Sequence, residues 1–409
     1  MRIAIAAIVC AGAAVAAQAP PLRTTTPESV GLDPRSLGDA SALLRQFVAG
    51  RKIAGVVASV SRKGRTVYME AAGYQNLESR TPMTSRSIFR IYSMTKAVTA
   101  VSAMILHEEG RFDLRDPVSK YLPEFRNVMV LDEVSGQKRP PARDMTIADL
   151  LLHTSGLSHR TSELYRTGRV RSRSAALPQF ITNIVREPLM EDPGTRYRYS
   201  EATTVIGRLI EIWSGEPFDV FMKARVFDPL RMSDTGFWAT PAQRPRLTSV
   251  YAARSGGGLE PIEIEEVPFT ERPALLEGAV GLLSTVPDFM RFAQMLLNRG
   301  ELDRARILSE KTVETITSNG LPDAILHARG NGMGWGLANV NVVVDPSLMK
   351  HAPNRGEYGW DGSAGTIFWI DPTEQLITVL MTQSAPANPD SLRQRFHAIV
   401  MSAVRGSPK

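Results

Sequence analysis

Ser93-Met94-Thr95-Lys96 stands at the head of a run whose apolar residues recur at Ala97, Val98, Val101, Met104 and Ile105. That is helical spacing, and Gly110 supplies a C-terminal stop. Positions i and i+3 share a helix face one turn apart, so the Lys96 amine is expected beside the Ser93 hydroxyl at the start of a mostly buried helix. Serine is a weak nucleophile until a base removes its proton. Lysine serves as that base only when burial or nearby positive potential pulls its pKa down. A closed pocket at a helix N-terminus offers both. The same four residues also describe a capping serine followed by an unrelated lysine, so the rest of the chain must decide. Two further Ser-x-x-Lys patterns, at 135–138 and 347–350, lie in proline-flanked loops and open no periodic helix.

Outward from this helix, 36–48 has helical periodicity, and 53–60 and 66–72 read as strands joined by a turn at Lys63-Gly64. From 111 to 298 the pattern is mainly helical with long loops: 146–153, 174–186, 201–213 and 286–297 carry the clearest periodicity. The last hundred residues return to strands, at 332–344, 359–370 and 375–382, before a closing helix at 392–404. Strands at both ends and helices between them predict an α+β fold. One antiparallel sheet, built from both chain ends (18–110 and 299–409) and flanked by helices, would carry an inserted, mostly helical lobe at 111–298.

The chain has 409 residues, 43% hydrophobic and 22% charged, with formal net charge +6. These values are ordinary for a globular protein. The charges are scattered, and no basic stripe interleaved with aromatics marks a nucleic-acid interface. The one cluster, Arg160, Arg166, Arg169, Arg171 and Arg173, reads as a solvated loop in preference to a flap or an anion-attracting rim. Met1-Arg2 followed by the apolar run 3–17 has the form of a secretory signal with cleavage after Ala17, which predicts a periplasmic or secreted protein. The only cysteine, Cys10, falls in that leader. No later run predicts a stable membrane insertion. Six histidines without metal-ligand spacing, and the lack of a Gly-x-Gly-x-x-Gly or Walker loop, predict neither a metal nor a nucleotide cofactor. His153, ending an apolar helix, reads as a structural histidine; Trp213 and Trp238 read as core. Asp361-Gly362-Ser363-Ala364-Gly365 falls short of the Gly-x-Ser-x-Gly nucleophile elbow, because it lacks the first glycine and sits in a strand-like segment.

The Ser93-Met94-Thr95-Lys96 motif, preceded by Phe89-Arg90-Ile91-Tyr92, resembles that of the serine β-lactamase and penicillin-binding-protein superfamily. Leu151-Leu152-His153-Thr154-Ser155-Gly156-Leu157, Gly278-Ala279-Val280-Gly281-Leu282-Leu283-Ser284-Thr285 and Gly334-Trp335-Gly336-Leu337 resemble signatures of its class C branch. The resemblance runs from about 55 to 382. It implies a second active-site element, Tyr-x-Asn, which falls on Tyr199-Ser200-Glu201 after Pro193-Gly194-Thr195. Tyr74-Gln75-Asn76 has the right letters but lies beside the early strands. The third element, Lys-Thr-Gly in β-lactamases, falls on Trp360-Asp361-Gly362. That departure is most similar to the family VIII carboxylesterases, which typically carry Trp-Gly-Gly there, although Asp361 departs from that pattern too.

The family's lysine at this third element helps bind the carboxylate of β-lactam antibiotics. Trp360 supplies no such charge, and Asp361 and Glu201, if they face the cleft, add negative potential. Trp360 also offers an apolar wall. The resemblance therefore implies a carboxylesterase-type serine hydrolase acting on small-molecule esters, expected to be of short acyl chain. Ser93 forms the acyl-enzyme, and Lys96 and Tyr199 share the proton relay. The backbone N–H groups of Ser93 and Ser363 form the oxyanion hole, beside Trp360, Asp361, Gly362 and Glu201. Weak β-lactamase side activity is expected. The alternative keeps the chemistry and changes the substrate, to a β-lactamase or a D-amino-acid peptidase or amidase acting on cell-wall-type compounds. A catalytically silent binding module is disfavoured by the joint retention of Ser93, Lys96 and Tyr199.

Overall fold

The computed structural model describes residues 22–132, 134–349 and 353–404. The expected leader at 1–17, with Cys10, lies outside the described residues. The chain opens with helix α1 (Pro34–Ala49), capped by the Asp33 side chain, which accepts from the Arg35 amide. Strands β1 (Gly55–Arg62) and β2 (Arg65–Asn76) follow, paired antiparallel. Lys63 and Gly64 both take positive φ, 52° and 72°, the geometry that joins two twisted strands through a two-residue turn.

β1 lies inside an eight-stranded antiparallel sheet. In spatial order the strands are Met333–Gly336, Val340–Val343, Tyr358–Asp361, Ile367–Asp371, Leu376–Thr382, β1, β2 and the short β3 (Thr81–Pro82). The α+β fold with one sheet drawn from both chain ends is therefore present. All eight residues of β1 are buried, which requires cover on both faces. Val56, Ala58 and Val60 join a cluster with Leu44 and Phe47 of α1 and with Phe396 and Val400 of the closing helix, Leu392–Ser402. Val57 faces the larger core on the other side. There the helix Val286–Leu297 lies across the sheet. Its Phe289 ring is 4.9 Å from that of Phe368, although this helix belongs to the stretch read as an inserted lobe.

Helix α2 (Thr95–Glu108) runs through the interior with every residue from Thr95 to Leu106 buried. It packs against the helix Ala202–Ser214. Two expectations need correction. The stretch 359–370 is two strands, because Gly362–Thr366 forms a tight turn: the Gly362 amide donates to the Thr366 carbonyl at 2.8 Å, and Gly365 takes φ 104°. The stretch 332–344 likewise turns at Asn339, φ 56°. Each stretch holds a hairpin whose turn includes a left-handed residue; in 359–370 the turn-forming run Asp361-Gly362-Ser363-Ala364-Gly365 lies inside the segment read as strand. The middle of the chain also carries a small sheet, Val250–Ala253 with Leu259–Ile262 and, parallel to it, Ser384–Ala385. No helix among the described residues is long and apolar enough to cross a membrane.

Candidate active site

Ser93 sits in a single 3-10 turn, Tyr92–Met94, that leads into α2. Tyr92 has φ 41°. A non-glycine residue there costs on the order of 1 kcal/mol, offset by packing: Tyr92 is buried edge-on to Phe269 at 6.2 Å. The strained residue sets Ser93 at the head of the helix.

One turn on, Lys96 is completely buried. Its Nζ donates to the Ala279 carbonyl at 3.0 Å and lies 4.6 Å from the centre of the Tyr199 ring. Burial pulls its pKa down to about 7; Glu201 opposes that shift and Arg160 adds to it. The expectation of a depressed lysine therefore agrees with its surroundings, and burial is the main cause. The neighbouring carbonyl of Gly278 accepts from Thr99 on the next turn of α2, at 2.8 Å. Gly278 has to be glycine, since a Cβ there would stand 2.4 Å from the Thr203 carbonyl oxygen.

Tyr199 faces this pair. Burial pushes its phenol well above the usual range, while hydrogen bonding to Ser93 and Trp360 pulls the other way. Trp360 Nε1 donates to the Tyr199 hydroxyl at 3.0 Å. The indole is thus a hydrogen-bond donor to Tyr199 as well as a wall. Below them lies an aromatic stack. Fully buried Trp335 meets Trp360 edge-on at 4.6 Å, and the His153 ring lies 4.8 Å from Tyr199. His153 Nδ1 bonds to Ser200 Oγ at 3.0 Å, and burial holds its pKa well below the ordinary histidine value. It is a neutral support under the tyrosine.

Glu201 begins the helix Ala202–Ser214 and is buried. Its amide donates to the Ser158 carbonyl at 3.1 Å. Burial alone would raise its pKa, but Lys96, Arg160 and His159 together hold it below the usual range. The helix N-terminus also favours the charged form.

Asp361 does not face the cleft. Trp360 and Asp361 are neighbours on a strand, and successive side chains point to opposite faces. With Trp360 turned toward Tyr199, the Asp361 carboxylate pairs with Arg393 of the closing helix. Its carboxylate is paired there, and its charge still reaches Lys96 and Tyr199 as a minor influence. Arg393 Nη2 also donates to the Gly362 carbonyl at 2.7 Å, fixing the end of the strand. Gly362 is pressed against the segment before Ser93: a Cβ would lie 2.5 Å from the Ile91 carbonyl oxygen. Ser363 follows at the exposed rim.

The basic cluster is not a uniformly solvated loop. Arg171 makes a two-point ion pair with Glu277, with Nη2 to Oε2 at 2.8 Å, and reaches Glu265 at 2.6 Å. Arg173 is fully buried, 3.6 Å from Glu277 and 4.2 Å from the centre of Phe269. Trp213 stacks on Phe112 at 3.8 Å, while Trp238 is only partly buried.

Sequence reading missed His159, a lone histidine in a loop. Its ring stacks on Tyr199 at 5.6 Å, and its Nε2 lies 4.0 Å from Glu201. Nothing in the spacing around it announces that position.

The chain is similar to several known proteins. Protein Rv1367c from Mycobacterium tuberculosis is 31% identical over 369 residues, 86% of this chain and 91% of that protein. Esterase EstB from Burkholderia gladioli is 28% identical over 389 residues, covering 88% and 93%. Among solved structures, EstCE1, described as a hydrolase with promiscuous acyltransferase activity, superposes with a TM-score of 0.79 at 25% identity, covering 91% of this chain and 99% of that one. The family model described as Beta-lactamase matches residues 40–400, and the chain belongs to that family, as a serine hydrolase of the β-lactamase fold with relatives in its esterase-like branch.

Proposed function

We infer that the protein hydrolyses carboxylic esters through an acyl-enzyme on Ser93. The observation that carries this reading is the Trp360–Tyr199 hydrogen bond. The position where β-lactamases hold a lysine here holds an indole that donates to the relay tyrosine. The cleft keeps the machinery for acyl transfer without the cation that fixes a β-lactam carboxylate at that point.

Ser93 Oγ attacks the ester carbonyl while its proton passes to the Lys96–Tyr199 pair. Lys96, with a pKa of about 7, is the member that changes protonation near neutrality. The Tyr199 phenol, pushed up by burial, stays protonated and conducts. The backbone N–H groups of Ser93 and Ser363 receive the oxyanion as the tetrahedral intermediate forms. The C–O bond to the alcohol then breaks, and the relay returns the proton to the leaving alkoxide. Water attacks the acyl-enzyme by the same route, releasing the acid and restoring Ser93. Ser363 acts through its amide, so its side chain is dispensable.

Replacing Ser93 by alanine abolishes turnover of short-chain p-nitrophenyl esters. Wild-type-like hydrolysis by that variant would overturn the mechanism. Comparing kcat/KM for p-nitrophenyl butyrate and for nitrocefin separates the ester reading from a β-lactamase, with the ester expected to be strongly preferred. The acyltransferase activity in the description of EstCE1 gives a second use of the same acyl-enzyme. An added alcohol that captures the acyl group in place of water would show as a new ester product.

A further inference from the structure

A cavity of about 530 Å³ lies beside the nucleophile loop, lined by Arg160, Arg166, Arg169, Arg171 and Glu266, among others. Their charges are not equally spent. Arg171 is committed to Glu277 and Glu265. Glu266 accepts from Ser172 Oγ at 2.6 Å. Arg160, Arg166 and Arg169 form no ion pair among the described residues, which leaves three unpaired cations facing the one carboxylate of Glu266 at the cavity wall. Arg160 is the member nearest the chemistry. Its guanidinium carbon lies 5.8 Å from the Tyr92 ring, one residue before Ser93. The preceding residue, His159, stacks on Tyr199. Arg160 Nη1 is closed off from solvent and has no hydrogen-bond partner among the described residues. That end of the guanidinium is packed against the protein, so Arg166 and Arg169, both exposed, are the cations presented to the cavity.

We propose that this arginine-lined cavity binds an anionic group, a carboxylate or a phosphate, carried by the substrate a short chain away from its scissile ester. The proposal rests on the ester reading above and names the substrate class within it. It also reverses one expectation. The sequence pointed to poor anion binding, from the missing lysine at Trp360 and from Asp361 and Glu201 if they faced the cleft, but Asp361 is paired with Arg393 and Glu201 lies among Lys96, Arg160 and His159. Anion recognition has moved from the third motif to the loop after His159. The guanidinium fork suits either oxyanion.

The test uses the p-nitrophenyl hemiester of glutaric acid and its neutral methyl ester. In an Arg166→Gln/Arg169→Gln variant, the ratio of kcat/KM for the anionic over the neutral substrate should fall about tenfold, with the neutral ester changed by less than about twofold. Added salt should lower the ratio in the wild type and not in the variant. A ratio that ignores both substitutions overturns the proposal. A second readout needs no turnover: calorimetric binding of monomethyl glutarate and of methyl phosphate to Ser93→Ala protein. Either ligand should bind, weakened about tenfold by the arginine substitutions, and the tighter one assigns the oxyanion. Equal affinity with and without the arginines overturns the proposal. A wild type that cleaves neither ester, yet binds the anion through the arginines, refutes the ester reading and leaves the cavity its role. Cleavage of both esters with an arginine-insensitive ratio does the reverse.

Discussion

Two buried basic sites meet on one short segment, Glu277-Gly278-Ala279. At its start, the Glu277 carboxylate holds Arg171 and reaches Arg173. At its end, the Ala279 carbonyl accepts from Lys96. Arg171 has carboxylate partners within hydrogen-bond reach and is held firmly charged. Lys96 is given a neutral carbonyl and its pKa falls to about 7. Burial is the largest influence on both; partner choice separates a structural cation from a reactive amine. One segment thus anchors the wall of the cleft and sets the surroundings of Lys96.

The sharpest way to break this contrast is to remove each cation's function in turn. Lys96→Met keeps the volume and deletes the amine. Activity should fall roughly 10³-fold, the scale of lost general base catalysis, while stability stays level or rises. The sign follows from linkage. The folded pKa lies below the unfolded one, so a charged lysine is disfavoured on folding. That cost is complete below about pH 7 and is relieved as pH climbs from there toward the unfolded pKa. The stability advantage of Lys96→Met should therefore be larger at pH 6 than at pH 9, as read by urea midpoints. Glu277→Gln should do the opposite. It leaves Arg171 and Arg173 short of a carboxylate and should cost about 3 kcal/mol of unfolding free energy, the low end for breaking a buried pair, because Arg171 keeps some exposure. Equal destabilisation by the two variants would remove the distinction.

The nearness of Ser93, Lys96 and Tyr199 could be anticipated from local spacing and ordered motifs, and the sheet-forming ends were legible because strands alternate with turns. What stayed hidden depends on direction or on distant partners. Asp361 looked like a cleft residue until strand alternation turned it toward Arg393, some thirty positions later in the chain. Arg171 and Arg173 looked solvated because Glu265 and Glu277 lie about a hundred positions away. His159 had no local pattern at all. Charge pairing across such separations is a tertiary fact, and hydropathy cannot report it.

Glu201 allows a finer adjustment of the Lys96 site. Its charge raises the Lys96 pKa against the effect of burial. Glu201→Gln removes that support, so Lys96 should lose its proton at lower pH. The rising limb of the kcat/KM profile should move toward acid, leaving more activity at pH 6 relative to the plateau. A limb that stays in place would mean that Lys96 is not the group that titrates. His159, 4.0 Å from Glu201, is the neighbour to vary next, since it faces the same carboxylate.

The smallest effect tests the two faces of one strand. Trp360→Phe keeps an aromatic wall and removes the N–H that reaches Tyr199 at 3.0 Å. A net hydrogen bond of about 1 kcal/mol corresponds to a roughly fivefold loss, expected in kcat more than in KM because it acts on the relay. Asp361→Asn, one residue along and on the opposite face, weakens the pairing with Arg393 without touching Tyr199. It should lower the urea midpoint and leave kcat nearly unchanged. If the two substitutions produce the same pattern, the strand is transmitting strain between its faces, and the assignment of Trp360 to the relay and of Asp361 to the scaffold fails.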